Sequence, residues 1–230
     1  MPMSRILAID TATEACSAAL WQDGAVLSRY QVAPRGHTDL ILPMVAELLA
    51  ESELSLQDLD GLAFGRGPGS FTGVRITLGV AQGLAFGANL PLLGVSNLQA
   101  LAQGAHRVCG AEQALSAIDA RMGEIYVGGF AFKQGLMVEH WPEQVLTPER
   151  FLEQTQQDHW NDGVGSGFVT YPALATRVNT VCEAHPYPDA QDLLPQALAL
   201  YQAGLGVDAA DAQPVYLRDT VTWQKLPGRE

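Results

Sequence analysis

Lysine is almost missing from this chain: Lys133 and Lys225 stand beside eleven arginines, and the formal net charge is −12 over 230 residues. Clustered basic residues drive binding to a phosphate backbone. The balance therefore opposes unaided nucleic-acid binding, and any such role is expected to need a partner. Cysteine is scarce too. Cys16, Cys109 and Cys182 lie far apart and form no Cys-x-x-Cys pair, so neither a disulfide framework nor a zinc site is expected, and a reducing cytoplasm fits best. Long apolar runs are absent. Residues 76 to 106 carry no Asp, Glu, Lys or Arg, but Gln82, Asn89, Pro91, Ser96, Asn97 and Gln99 break the stretch, whereas a spanning helix needs about 20 apolar residues. At the start, Asp10 interrupts after four apolar residues, which rules out the core of a signal peptide. His37, His106, His140, His159 and His185 include no pair four residues apart and no metal motif. Around Ser166 the glycines miss the spacing of a nucleophile elbow.

What is there is an ordinary globular composition, 47% hydrophobic and 17% charged, enough for one sizeable core or two smaller lobes. The chain opens with the short buried run RILAID, the turn TATEA, then CSAALW, an Asp23-Gly24 hairpin signal and AVLSRYQV. That is a three-stranded antiparallel meander. Residues 38 to 51 repeat Leu40, Ile41, Met44, Val45, Leu48 and Leu49 at helical spacing, with Pro43 kinking or starting the regular part. LDGLAFG reads as a strand, about 70 to 87 as a helix, PLLGV as a strand and SNLQALAQGA as a helix. Strands linked by hairpins and then alternating with helices imply an α/β fold with mixed sheets flanked by helices.

The second half begins in the same way. Ala117-Ile118-Asp119 overlays Ala8-Ile9-Asp10, and Gly135 falls opposite Gly24, so the opening meander is duplicated. The expected division is a lobe from 1 to 105 and a second from 106 to 230. Helices are expected over 147 to 157 and 190 to 204, QPVYLR (213 to 218) reads as a last strand, and DTVTWQKLPGRE (219 to 230) as a tail.

Chemistry concentrates at GRGPGSFTGVR, residues 65 to 75. A phosphate-binding Walker loop needs a lysine after its last glycine, and Val74 stands there. The dinucleotide fingerprint fails in both registers, because Ser70 or Thr72 falls where its third glycine belongs. Two readings stay open: an anion held by the amides of 71 to 73 with Ser70 as N-cap, or a tight turn that lets backbone approach backbone. Asp10 and Asp119 end matching strands, as a carboxylate pair facing a shared cleft or as turn caps. The helix behind the loop repeats Gly79, Gly83 and Gly87 every four residues, with Ile76, Val80 and Leu84 on another face. Each interior glycine costs roughly 1 kcal/mol of helix propensity against alanine. Such a smooth face suits close helix contact, made by the chain's own first helix or by a partner.

Taken together, ILAIDTAT, GRGPGSFTGVR, AIDARMGEIY and PVYLR resemble the bacterial TsaB (YeaZ) family from the first strand to the tail. The resemblance implies two duplicated ribonuclease-H-like lobes of the actin, sugar-kinase and Hsp70-like superfamily. It also implies a role in placing a threonylcarbamoyl group on the adenosine beside the anticodon of tRNA, as a noncatalytic subunit dimerising with the transferase TsaD, assisted by the ATPase TsaE. Where TsaD has two metal-binding histidines, this chain has Asn97 and Leu101, so the catalytic metal site is absent. No cofactor is expected for the chain itself, with ATP or ADP belonging to the assembled complex, tRNA meeting it only through that complex, and a homodimer forming in isolation. On this reading the partner surface comprises Leu40, Ile41, Met44 and Leu48 of the first helix with Ile76, Gly79, Val80, Gly83, Leu84 and Gly87 of the second. The alternative is a subunit that binds or weakly hydrolyses nucleotide through Asp10, Thr11, Ser70 and Asp119. A protease is a third reading, against which the missing histidine pair and nucleophile elbow stand.

Overall fold

The computed structural model describes residues 4–218; the expected tail lies outside them. The opening meander forms as β1 (Arg5–Asp10), β2 (Ala15–Gln22) and β3 (Ala25–Val32). Asp23 and Gly24 both take positive φ, 52° and 95°, the backbone that a two-residue hairpin turn demands. Helix α1 (His37–Glu51) begins six residues before Pro43, which sits inside it. Strand β4 (Gly61–Gly65), helix α2 (Phe71–Ala88), strand β5 (Leu92–Val95) and helix α3 (Asn97–Cys109) complete the first half. The sheet order is β3-β2-β1-β4-β5, with the first two pairings antiparallel and the last two parallel.

The second sheet repeats this plan. Strands β6 (Gln113–Arg121), β7 (Glu124–Lys133) and β8 (Leu136–Leu146) form the meander, and its hairpin turn at Gln134-Gly135 again takes positive φ, 52° and 90°. After α4 (Pro148–Gln154) come β9 (Trp160–Val164), the short α5 (Ser166–Thr170) and β10 (Val178–Cys182), before α6 (Ala190–Gln202). The order from β8 runs β8-β7-β6-β9-β10, the same permutation with the same strand directions. The duplication is therefore topological, and both sheets are ribonuclease-H-like.

Alternation along β1 sends Leu7 and Ile9 to a core shared with Ile41, Met44 and Leu48 of α1 and Ala81 and Ala85 of α2. It sends Ile6 and Ala8 to the opposite face, where Leu193, Leu194 and Ala197 of α6 cover them. Meanwhile Leu98, Leu101 and Ala105 of α3 pack on Ala114, Ile118 and Phe130 of the second sheet. The halves thus exchange helices. A division at 105/106 falls inside α3, and α6, from the second half, belongs to the first sheet's core.

Two expectations are corrected. Cys109 and Cys182 form a disulfide with Cα atoms 6.3 Å apart across 73 residues, because the ends of α3 and β10 meet in space; Cys16 alone is free and buried. Residues 213 to 218 are not a strand: Pro214 has no N–H to give a ladder, and Val215 makes one backbone bond, its N–H donating to Arg66 O at 2.7 Å. The segment crosses the glycine loop as a strap instead. Among the described residues no helix is long and apolar enough to cross a membrane.

Candidate functional site

The glycine loop connects β4 to α2. Ser70 caps the helix, its Oγ accepting from Gly73 N at 3.0 Å. A Cβ on Gly69 would lie 2.6 Å from Ala12 O, and one on Gly73 2.2 Å from Thr11 O. Side-chain-free positions are what let the loop lie against the turn after β1. That turn is in turn bound to the helix: Thr11 N donates to Thr77 Oγ1 at 2.9 Å, and Thr11 Oγ1 donates to Gly73 O at 2.8 Å.

Asp10 is fully buried. Its Oδ2 accepts from Asn97 Nδ2 at 2.5 Å and its Oδ1 from Ala12 N at 3.2 Å. Burial pushes its pKa up to about 7, the Asn97 hydrogen bond opposing. Asn97 also accepts from Gly67 N at 2.8 Å, so its amide ties β1, the glycine loop and α3 together. Leu101, one helical turn on, is fully buried in the second core. Asp119 turns back on its own strand end, accepting from Arg121 N at 2.9 Å and Arg121 Nη1 at 3.0 Å. Between the lobes lies a cleft of about 600 Å³ lined by Thr13, Arg35, His37, Ser70, Ile118 and Arg121 among others. Of Asp10, Thr11, Ser70 and Asp119, only Ser70 lines it.

The helix behind the loop is the more telling surface. Only Gly73, Val74, Thr77, Ala81 and Ala85 of α2 are buried. Gly79, Gly83 and Gly87 are exposed, and a Cβ at any of them meets no atom of the described residues within 4 Å. Ile76, Val80 and Leu84 are half-buried, as is Leu40 on α1, while Ile41, Met44 and Leu48 are core. Residues that the spacing argument missed complete the face: Phe86 is 84% exposed, Phe71 66% and Leu42 50%. Phe86 was within reach of that argument, since it lies three residues from Gly83 and shares its side of the helix. The Arg75 guanidinium sits 3.2 Å above the Phe71 ring. Apolar rings this exposed beside a bare backbone stripe are what an interaction surface offers.

Residues 30–184 match the family model described as TsaD: tRNA N6-adenosine threonylcarbamoyltransferase. The Escherichia coli (strain K12) protein named tRNA threonylcarbamoyladenosine biosynthesis protein TsaB is 50% identical over 98% of this chain and all of that protein. The chain belongs to the TsaB family. A Haemophilus influenzae protein of the same name is 44% identical over 98% of each chain. A solved structure, YeaZ from Pseudomonas aeruginosa, superposes with a TM-score of 0.87 at 47% identity, over 94% of this chain and 100% of that one.

Proposed function

We propose that this chain is a noncatalytic subunit of the assembly that makes threonylcarbamoyladenosine in tRNA, and that it acts by docking a TsaD-type transferase on the exposed α1–α2 face. The bare stripe of Gly79, Gly83 and Gly87 carries the reading. Three glycines lower the intrinsic stability of α2 by roughly 1 kcal/mol each for interior positions, and among the described residues nothing uses the space they leave. A partner helix would. The same face accounts for a homodimer when TsaD is absent. The absence of chemistry of its own is supported by Asn97 and Leu101: the amide is occupied by Asp10 and Gly67, and leucine has no ligating atom. Nucleotide and tRNA are contacted by the complex, with TsaE assisting, and the acidic balance of this chain leaves the phosphate contacts to its partners.

The deciding experiment is reconstitution of tRNA modification from purified TsaD, TsaE, the threonylcarbamoyl-AMP-forming enzyme and tRNA, with and without this chain. Product should appear only when it is present. Gly83→Leu, placed where there is open space, should abolish co-elution with TsaD and leave the circular dichroism unchanged. Val80 is half-buried against the core, so Val80→Arg needs that folding control more. Undiminished co-elution of a folded Gly83→Leu variant rejects the surface.

A further inference from the structure

The end of α3, the end of β10 and the start of α6 meet in a cluster that neither the docking face nor the cleft uses. Arg107 grips Asp192 with both arms, Nε to Oδ1 at 2.7 Å and Nη2 to Oδ2 at 2.8 Å, and reaches Asp189 at 3.8 Å. His185 lies 3.3 Å from Asp192 Oδ2. Gly104 is empty-sided by necessity, because a Cβ there would lie 1.9 Å from His185 Nε2. Residues 183 to 189, which carry the chain from the second sheet to the helix that covers the first, are thus pressed onto α3. At their far end Ala190 N donates to Ser17 Oγ of β2 at 2.9 Å. At their near end stands the Cys109–Cys182 bond.

We infer that the Cys109–Cys182 disulfide is a reversible redox clasp that holds the 183–189 crossover, and with it α6, in register between the two sheets. The two sulfurs are unequal. Cys109 is exposed at the end of its helix, whereas Cys182 is buried against the second core. A thiolate of a dithiol reductant therefore attacks Cys109 Sγ, forming a mixed disulfide and breaking the protein's S–S bond, with Cys182 leaving as thiolate and taking up a proton. The reductant's second thiol then attacks its own sulfur in the mixed disulfide and releases Cys109. Two electrons and two protons pass to the protein, and the reductant ends as its cyclic disulfide. Opening leaves the crossover held by Arg107 with Asp192 and Asp189, by His185 packed between Gly104 and Asp192, and by the bonds at its ends. Arg107 is partly solvated, its side chain 41% exposed, and hence the weaker fastening.

The test reads thiols and local opening on the full chain. Protein blocked with an alkylating agent and unfolded without reductant should carry one label, on Cys16, and three after treatment of the native protein with a dithiol. Amide hydrogen exchange at residues 183 to 192 should quicken at least about tenfold on reduction, and equally in the exposed-site variant Cys109→Ser, while β1 and β6 stay protected. Three labels before reduction, even after incubation with glutathione disulfide, would overturn the clasp. So would unchanged exchange in both the reduced protein and Cys109→Ser.

Discussion

Replacing Gly79, Gly83 and Gly87 together by alanine should move stability and association in opposite directions. All three have helical φ, since none is among the glycines with positive values, and each new methyl enters open space. The gain is then the helix-propensity difference with no clash to offset it. Gly79 and Gly83 are interior and contribute roughly 1 kcal/mol each, while Gly87, next to the last residue of α2, adds less. At roughly 2–4 °C per kcal/mol for a chain of this size, about 2 kcal/mol corresponds to a rise of roughly 4–8 °C in the melting temperature. On the partner side, three methyls hold a docked helix off the backbone. Overpacking of this kind costs about 1–3 kcal/mol, a loss of roughly five- to 150-fold in affinity for TsaD. Thermal melts at concentrations low enough to suppress self-association give the first quantity, and titration calorimetry with TsaD gives the second. A variant that melts lower, or one that melts higher and binds undiminished, refutes the assignment of the stripe to a partner.

Gly65→Ala is the opposite case: its Cβ would lie 1.8 Å from Asp10 Oδ2 and 2.7 Å from Asn97 Nδ2, and urea unfolding should show a loss of about 3 kcal/mol or more, so a loss under about 1 kcal/mol would contradict the buried network. The pH profile of stability should carry two arms of opposite sign. Asp10 has its pKa raised from 3.8 to about 7 by burial, so the folded state holds its proton more tightly, and stability from this group is full below pH 4 and lost as pH rises towards 7. His185 is lowered from 6.5 to about 4, chiefly by burial, so its contribution is full above pH 6.5 and lost as pH falls towards 4. The arms offset one another between pH 4 and 6.5, and in His185→Gln the falling arm should remain in denaturant titrations, shared with Asp189, Asp192 and Glu143, which burial also raises; a profile no shallower in His185→Gln/Asp10→Asn than in His185→Gln would count against a buried, proton-holding Asp10. Arg218→Met removes the bonds from Arg218 to Glu124 (2.9 Å) and Ala120 O (3.1 Å) and should cost about 1–2 kcal/mol, read by chemical denaturation and by faster proteolysis of the strap. Calorimetry of the isolated chain with magnesium and ATP should give no heat, since Asp10 and Thr11 are turned inward; measurable binding would favour the cleft as a nucleotide site.

Both meanders were legible because alternation, hairpin residues and repeated Ala-Ile-Asp all point the same way. The N-cap at Ser70 and the bare face of α2 were legible from spacing alone. The region from β9 to β10 was not: its strands have five residues each, too short to show a period among glycines and prolines. Periodicity also says which side of a helix is apolar and nothing about which sheet it meets, so the exchange of α3 and α6 had no local signature. The disulfide escaped for a similar reason, its partners being 73 residues apart. Within the candidate site, residue types exposed Asp10 and Thr11 as polar and adjacent to a glycine loop, but their inward turn follows from Asn97 and Thr77 on distant helices.

The helix exchange has a consequence for synthesis. On the ribosome the first sheet is complete once β5 has emerged, yet Ile6, Ala8, Ala63 and Leu93 on one of its faces stay uncovered until residues 190 to 202 follow. Roughly half the chain must be made while that apolar face is open to water or to a chaperone. The two halves therefore mature together at the end of translation, and the nascent first half is the species most exposed to aggregation.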